Sequence, residues 1–128
     1  MPRQNILIVT DDAVTTTDLQ TGLIGAGYVV RRAESASEAL LMLERRRADL
    51  ILMSLMLPDA DGLMLCATLK TQFWSPIIVL TGRTGTVDRA LALESGALDV
   101  LNTPVDVDAL LALVQAAVQT PVSAIRSD

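Results

Sequence analysis

Four apolar runs of this chain each end in short polar residues that could bind a small polar ligand. The runs begin at Ile6, Leu50, Ile77 and Val100, and they have the composition of buried strands. The polar residues that follow them are, in chain order, Thr10, Asp11 and Asp12, then Ser54, then Thr81, then Asn102, Thr103 and Pro104. The ends of parallel strands lie along one edge of a sheet, where open α/β folds bind their ligands. The sequence therefore predicts a single pocket at this edge, in which hydroxyl groups outnumber charged groups.

Several classes of chemistry are excluded by what the chain lacks. It contains no histidine, which removes Ser-His-Asp and Cys-His catalysis, imidazole metal sites and a phosphohistidine relay within this domain. Cys66 is the only cysteine, and its apolar neighbours indicate a buried, unreactive thiol. Four methionines are interpreted as core filler in a chain with few aromatic residues, namely Met42, Met53, Met56 and Met64.

Length and charge set further limits. The 128 residues form one domain, which is large enough for a complete hydrophobic core. No apolar run reaches the roughly 18 residues that span a bilayer, and residues 1–5 lead directly into a strand, so we expect a cytoplasmic protein without membrane contact. The net charge of −5 disfavours direct nucleic-acid binding, which needs clustered cations. The basic cluster Arg45–Arg47 is interpreted as the solvated end of a helix.

Strand and helix patterns alternate five times along the chain. Aliphatic runs predict strands at residues 5–10, 28–32, 49–54, 76–81 and 98–102. Between them apolar residues recur at helical spacing, for example Val87 and Leu91 in the fourth helix. Ser35 and Glu38 form a capping box, and Asp106 can cap the last helix. Strands joined by helical crossovers give a parallel (βα)5 architecture with helices on both faces of the sheet.

The last predicted helix lacks a polar face. No charged residue occurs from Ala109 to Ile125, so the outward-facing residues Leu113, Ala116 and Ala117 predict burial against another chain or domain. Residues 120–128 combine proline with small polar residues, which predicts a linker.

Three segments carry a resemblance to a known family. Leu50–Gly62, Ile77–Gly82 and Gly96–Pro104 resemble, in order and spacing, the receiver domain of two-component response regulators. The similarity extends over residues 5–119, so we assign residues 1–119 to a receiver domain and residues 120–128 to a linker or tail. The resemblance implies a flavodoxin-like α/β fold with a five-stranded parallel sheet in the order 2-1-3-4-5. It also implies an effector domain beyond the linker, most commonly a DNA-binding one.

In receivers, phosphoryl transfer depends on a few residues at the strand ends. An aspartate ending the third strand accepts the phosphoryl group, two acids after the first strand hold Mg²⁺, a hydroxyl residue ends the fourth strand, and a lysine precedes a proline. At the matching positions this chain has Ser54 for the aspartate, Thr10 and Asp11 for the acids, Thr81 for the hydroxyl residue, and Thr103 before Pro104 for the lysine. Asp12 belongs to the turn that follows. The resemblance further implies a cis peptide bond before Pro104.

These departures predict an atypical receiver that works without phosphorylation. We expect no enzymatic activity, no cofactor, and weak or absent Mg²⁺ binding, because Asp11 is the only remaining metal candidate. Similar receivers pair through the surface of the fourth helix, fifth strand and fifth helix, so we expect a homodimer or a partner protein there. The residues expected on this surface are Arg89, Glu94, Asp99, Leu110, Leu113 and Ala117.

Two alternatives remain open from the sequence. One is a phosphorelay component that uses a different acceptor, namely Asp11, Asp59 or Asp61, although Asp61 is well placed to cap the third helix. The other is a sensor that binds a small molecule at the strand edge, as flavodoxin-like proteins do.

Overall fold

Strand and helix alternate along the computed structural model, which describes residues 4–82 and 86–119. The strands are β1 (Asn5–Val9), β2 (Val29–Ala33), β3 (Leu50–Ser54), β4 (Ile77–Thr81) and β5 (Asp99–Asn102). The helices are α1 (Ala13–Gly25), α2 (Ala36–Arg45), α3 (Gly62–Phe73), α4 (Thr86–Glu94) and α5 (Val107–Gln119). The strands pair in parallel in the order β2-β1-β3-β4-β5, which confirms the predicted fold. None of the described helices is both long and apolar enough to cross a lipid bilayer.

The sheet separates two hydrophobic cores. Leu7, Val9 and Ile51 point to the face covered by α2, α3 and α4, whereas Ile6 and Leu50 point to the face covered by α1 and α5. Every residue of β1 and β4, and the first four of β3, are buried. Burial on both faces explains why these strands are apolar except at one end instead of alternating. The predicted linker at residues 120–128 lies outside the described residues.

Helix starts follow the predicted capping residues. The Ser35 hydroxyl accepts a hydrogen bond from the Glu38 backbone N–H at 3.1 Å, and the Glu38 carboxylate accepts one from the Glu34 N–H at 3.1 Å. The Asp106 carboxylate accepts from the Asp108 N–H at 3.0 Å at the start of α5. These bonds satisfy N–H groups that have no partner within their own helix. The predicted caps at Ser35 and Asp106 are therefore confirmed.

The basic cluster lies at the end of α2, as the sequence predicted. Arg45 is the last helical residue and Arg46 is its C-cap. From β2, the Arg31 guanidinium donates to the carbonyl oxygens of Met42 and Arg46 at 3.3 and 2.8 Å. These bonds satisfy carbonyls at the helix end and attach that end to the sheet.

Two of the methionines assigned to the core are instead on the surface. Met56 is 74% exposed and Met64 is 71% exposed, whereas Met53 is fully buried. Met56 lies in the loop after β3, where the chain has left the sheet. Met64 points away from the sheet because the buried face of α3 is formed by Leu65, Cys66 and Leu69. For Met56 and Met64 the core prediction was wrong.

One predicted interface residue lies in the core, and α4 faces the sheet through a small residue. On α4 the residue buried against the sheet is Ala92, and Leu91 is 41% exposed. On α5 Leu110 is fully buried in the core shared with α1, so it is not an interface residue. The predicted fourth helix is confirmed, with the small side chain of Ala92 facing the sheet.

Gly62 allows a close approach between the start of α3 and the loop after β3. A Cβ atom at this position would lie 2.5 Å from both the Cα and the carbonyl oxygen of Leu55. The Gly62 N–H also donates to that oxygen at 2.8 Å. Because the colliding atoms are backbone, a side chain at residue 62 would displace the loop.

We therefore expect Gly62→Ala to lower the free energy of unfolding by about 1–3 kcal/mol, through this overpacking. Urea unfolding followed by circular dichroism measures the change. Gly25→Ala is the matched control, since a Cβ there meets nothing within 4 Å, and alanine at a helix residue costs no strain. Equal destabilisation by the two substitutions would show that the Leu55 contact is not the cause.

Candidate functional site

The predicted pocket lies at the carboxyl ends of the strands. Parallel pairing places Val9 beside Met53 and Ser54 beside Leu80, so the residues that follow the strands meet at one edge. They line a cavity of about 710 Å³, which we call the strand-end cavity. Its lining is Thr10, Asp11, Asp12, Thr15, Ser54, Leu55, Met56, Leu57, Ala60, Asp61, Leu63, Leu80, Thr81, Gly82, Leu91 and Thr103.

Two hydroxyl groups are joined inside this cavity. The Ser54 hydroxyl donates to the Thr10 hydroxyl oxygen at 2.8 Å. That oxygen also accepts from the Asp12 backbone N–H at 3.2 Å. Thr10 is buried and Ser54 is half-buried, so an uncharged hydrogen bond links the end of β1 to the end of β3. A buried polar group needs a hydrogen-bond partner, and this bond gives the Ser54 hydroxyl an acceptor and the Thr10 oxygen a donor.

Two of the three carboxylates in the cavity lining are committed to helix starts. Asp12 accepts from the Val14 N–H at 3.1 Å and from the Thr15 hydroxyl at 2.7 Å. The Thr15 hydroxyl bond is the main cause of the lowered pKa of Asp12. Asp61 accepts from the Leu63 N–H at 2.9 Å and caps α3, as predicted.

Asp11, the third carboxylate, is exposed and caps none of the described helices. No hydrogen bond or ion pair joins its side chain to another of the described residues. Within residues 4–82 and 86–119, no group of three or more histidine, cysteine, aspartate or glutamate side chains is arranged to hold a metal ion.

The turn after β5 brings Thr103 to the same cavity. The Thr103 N–H donates to the Thr81 carbonyl at 2.8 Å, and the Thr103–Pro104 peptide bond is cis, as the resemblance implied. Thr103 lines the strand-end cavity, whereas Pro104 lines a smaller neighbouring cavity with Asp12. A hydroxyl therefore occupies the place where the resemblance implies a lysine.

Asp59 has a role that the sequence did not reveal. Its carboxylate accepts from the Ala36 N–H at 2.8 Å, the Ser37 N–H at 3.0 Å and the Ser37 hydroxyl at 2.5 Å. These bonds, the Ser37 hydroxyl first, hold the pKa of Asp59 at about 2, below its usual 3.8. Asp59 thus joins the loop between β3 and α3 to the start of α2. It does not line the strand-end cavity.

Of the predicted interface residues, two form an ion pair within the chain, three pack in or against the core, and Glu94 is exposed. Arg89 on α4 forms an ion pair with Asp99 on β5 at 3.0 Å. Glu94 is exposed at the end of α4, and Leu113 and Ala117 are half-buried and pack against the core between α5 and the sheet.

Comparison with known proteins gives consistent matches. The family model of the response regulator receiver domain matches residues 6–115. The DNA-binding response regulator MtrA of Mycobacterium tuberculosis is 40% identical over 114 residues, which cover 89% of this chain and 50% of the relative. The KDP operon transcriptional regulatory protein KdpE of Escherichia coli is 36% identical over 115 residues, which cover 90% and 51%. The chain thus spans about half the length of these curated relatives.

Solved structures match along the whole fold. A two-component response regulator from Clostridium difficile superimposes with a TM-score of 0.88 at 28% sequence identity. The superposition covers 91% of this chain and 97% of the other.

The Asp59 contacts predict a pH-dependent contribution to stability. We expect Asp59→Ala to lower the free energy of unfolding near neutral pH, because three donors lose their acceptor. The folded-state pKa lies below the unfolded value, so the charge-dependent part of this contribution is complete above about pH 3.8 and is lost as the pH falls through about 2. Urea unfolding of both proteins across this pH range measures the difference.

Ser37→Ala is the matched control for this prediction. It removes the hydroxyl donor and keeps both backbone donors, so we expect a smaller loss with the same direction of pH dependence. A difference between wild type and Asp59→Ala that stays constant on acidification would contradict the assignment.

Proposed function

The chain belongs to the response regulator receiver family, and from that membership we propose that it is an atypical receiver that signals without phosphorylation at residue 54. The observation that supports this most directly is the 2.8 Å bond between the Ser54 and Thr10 hydroxyls. It occupies the place where receivers align an acceptor aspartate with a metal-binding acid. In this chain that place is filled by an uncharged pair.

The available groups do not support phosphoryl transfer to Ser54. A serine hydroxyl needs a general base to act as a nucleophile, and the chain has no histidine. The hydroxyl partner of Ser54 is another alcohol, Thr10, which is a poor proton acceptor. We therefore propose that a phosphoryl donor does not modify this position.

The donor set does not fit magnesium. Mg²⁺ prefers an octahedral shell that includes carboxylates and water. In the strand-end cavity Asp12 and Asp61 already accept helix N–H bonds, which leaves Asp11 alone at the family's metal position. We propose that Mg²⁺ binding is weak or absent. Thr103 stands where the family has a lysine. A lysine at this position, without the family's carboxylates, would be an unpaired cation beside the Thr10–Ser54 hydroxyl pair.

Other aspartates are poor substitutes as phosphoryl acceptors. Asp59 uses both oxygens to accept three hydrogen bonds and lies outside the cavity lining. Asp61 caps α3. Asp11 is the remaining candidate of the phosphorelay alternative.

Signalling is then proposed to pass through contacts of the α4–β5–α5 face, defined by Arg89, Leu93, Glu94, Asp99, Leu113 and Ala117. Leu93 lies one helical turn after Arg89, whose guanidinium reaches Asp99 on β5, so Leu93 projects on the same side of α4. Leu93 is 40% exposed. Because Arg89 and Asp99 pair within one chain, contact across this face would depend on apolar area more than on ion pairs between chains. We propose a homodimer in the cytoplasm.

A DNA-binding effector domain is proposed to follow the predicted linker at residues 120–128. The relatives include a DNA-binding response regulator of which this chain covers half. The receiver itself carries a net charge of −5, so DNA contact is assigned to the effector.

The first experiment restores the missing groups. We expect the triple substitution Thr10→Asp, Ser54→Asp and Thr103→Lys to gain a phosphate at residue 54 from acetyl phosphate with Mg²⁺, while the wild type gains none. Three restored charges supply the metal ligands and the counter-charge that the reaction needs. Intact-protein and peptide mass spectrometry measure the modification, and isothermal titration should show Mg²⁺ affinity raised at least about tenfold, equivalent to about 1.4 kcal/mol.

Thr103→Lys alone is the control, because it adds the cation without an acceptor. It should remain unmodified. A wild-type protein that gains phosphate on Ser54, Asp11 or another residue, or that binds Mg²⁺ at about millimolar concentration, would refute phosphorylation-independent signalling.

The second experiment tests the contact surface. We expect the wild type to dimerise without phosphoryl donor or Mg²⁺, and Leu93→Glu to weaken dimerisation at least about tenfold, because a charge would have to be buried. Sedimentation equilibrium measures the dissociation constant, which we expect to change little with salt.

Leu41→Glu is the matched control, since Leu41 is an exposed leucine on α2, which covers the opposite face of the sheet from α5. It should leave dimerisation unchanged. A protein that stays monomeric at all concentrations, or equal weakening by the two substitutions, would refute the proposed face.

A further inference from the structure

We propose that the strand-end cavity binds a small organic cation, an amine with an apolar body. The proposal rests on the proposed function, because a cavity that receives no phosphoryl group and no Mg²⁺ is free to take another ligand. Its volume of about 710 Å³ lies within the range of about 300–1,000 Å³ found for small-molecule sites.

The apolar part of the lining suits an apolar ligand body. Leu57, Leu63 and Ala60 come from the loop after β3 and the start of α3, Leu80 from β4 and Leu91 from α4. The apolar lining therefore comes from one loop, two helices and one strand. Binding that covers Leu91, which is 41% exposed, would remove apolar surface from water.

The polar part of the lining offers acceptors for N–H groups. The Ser54 hydroxyl donates a hydrogen bond to Thr10. Its oxygen keeps lone pairs that can accept a hydrogen bond from a ligand N–H. The Thr103 hydroxyl is half-buried in the same cavity and forms no hydrogen bond with another described residue. An ammonium group carries three donors, and these two oxygens and the Asp11 carboxylate are acceptors in the lining of the same cavity.

The carboxylates of the lining favour a positively charged ligand. Asp11, Asp12 and Asp61 contribute carboxylates, and none of the described lining residues is a lysine or arginine. An anionic ligand would meet like charge without a compensating cation, whereas an ammonium group gains three favourable interactions. Arg83 lies outside the described residues, so the experiment below includes an anionic probe.

Such a ligand would contact both the strand ends and α4, which carries part of the α4–β5–α5 face. The cavity lining includes β3 at Ser54, the end of β4 at Thr81 and α4 at Leu91. The same helix carries Leu93 on the α4–β5–α5 face. A ligand with different affinity for two positions of α4 could therefore shift the dimer equilibrium that the phosphoryl group shifts in other receivers.

The experiment compares three probes of similar shape and different charge: phenethylamine, 2-phenylethanol and phenylacetate. Each is titrated into the full 128-residue chain and followed by ¹H–¹⁵N correlation spectra. We expect saturable shifts for phenethylamine at the amides of residues 10, 54, 57, 91 and 103. Its affinity should exceed that of phenylacetate at least about tenfold, because of the charge of the lining.

Asp11→Asn is the variant that tests the charge contact. It should weaken phenethylamine about two- to fivefold, as expected for an exposed ion pair, and leave 2-phenylethanol unchanged. Asp18→Asn, which removes an exposed carboxylate of α1 outside this cavity lining, should change neither affinity. Phenylacetate binding as tightly as the amine, or no saturable shift up to the solubility of the amine, would overturn the proposal.

Beryllofluoride with Mg²⁺, added in a separate titration, distinguishes this failure from failure of the proposed function. If beryllofluoride binds at the strand ends, the phosphorylation-independent function is wrong. If neither beryllofluoride nor phenethylamine binds, only the organic-cation site is wrong.

Discussion

Parallel pairing of three strands that are buried on both faces is the constraint on which the site depends. β1, β3 and β4 place alternate side chains in two separate cores, so a slip of one residue would move every side chain to the wrong core. The shapes of the side chains packed in the two cores therefore favour this register. With Val9 beside Met53, the next residues, Thr10 and Ser54, are brought within hydrogen-bonding distance. The core thus determines where the polar residues meet, whatever their chemistry.

The polar residues that line the strand-end cavity are separate from those that form the cores, so the fold does not depend on which polar residues line it. Thr10, Ser54 and Thr103 are at or beyond strand ends, and none belongs to either hydrophobic core. An acidic pocket needs a cation to offset repulsion between neighbouring carboxylates. The Thr10–Ser54 pair needs none, because both groups are uncharged and the Ser54 hydroxyl donates to the Thr10 oxygen. Under the proposed function, the uncharged pair makes no demand for a metal ion.

The features that the sequence predicted are those set by local or periodic patterns. The apolar runs gave the strands, and Ser35, Asp61 and Asp106 gave helix starts, because a cap acts within three residues of itself. The bond from Asp59 to α2 could not be predicted, since it joins residues 22 or 23 apart through the tertiary fold. Met56, Met64 and Leu110 were placed wrongly because hydrophobicity alone does not specify which way a loop or a helix residue faces.

The loop between β3 and α3 is held at several points, and this limits how the domain can respond. The Leu55 N–H donates to the Leu80 carbonyl at 3.3 Å, Met56 forms an isolated bridge with Asp61, and Asp59 is bound to α2. Moving this loop would break several of these contacts together, which makes such a change costly. At α4, by contrast, Leu91 and Leu93 are partly exposed and a small alanine faces the sheet. A signal that shifts populations is therefore expected to act on α4 rather than on the loop, because less packing opposes movement there.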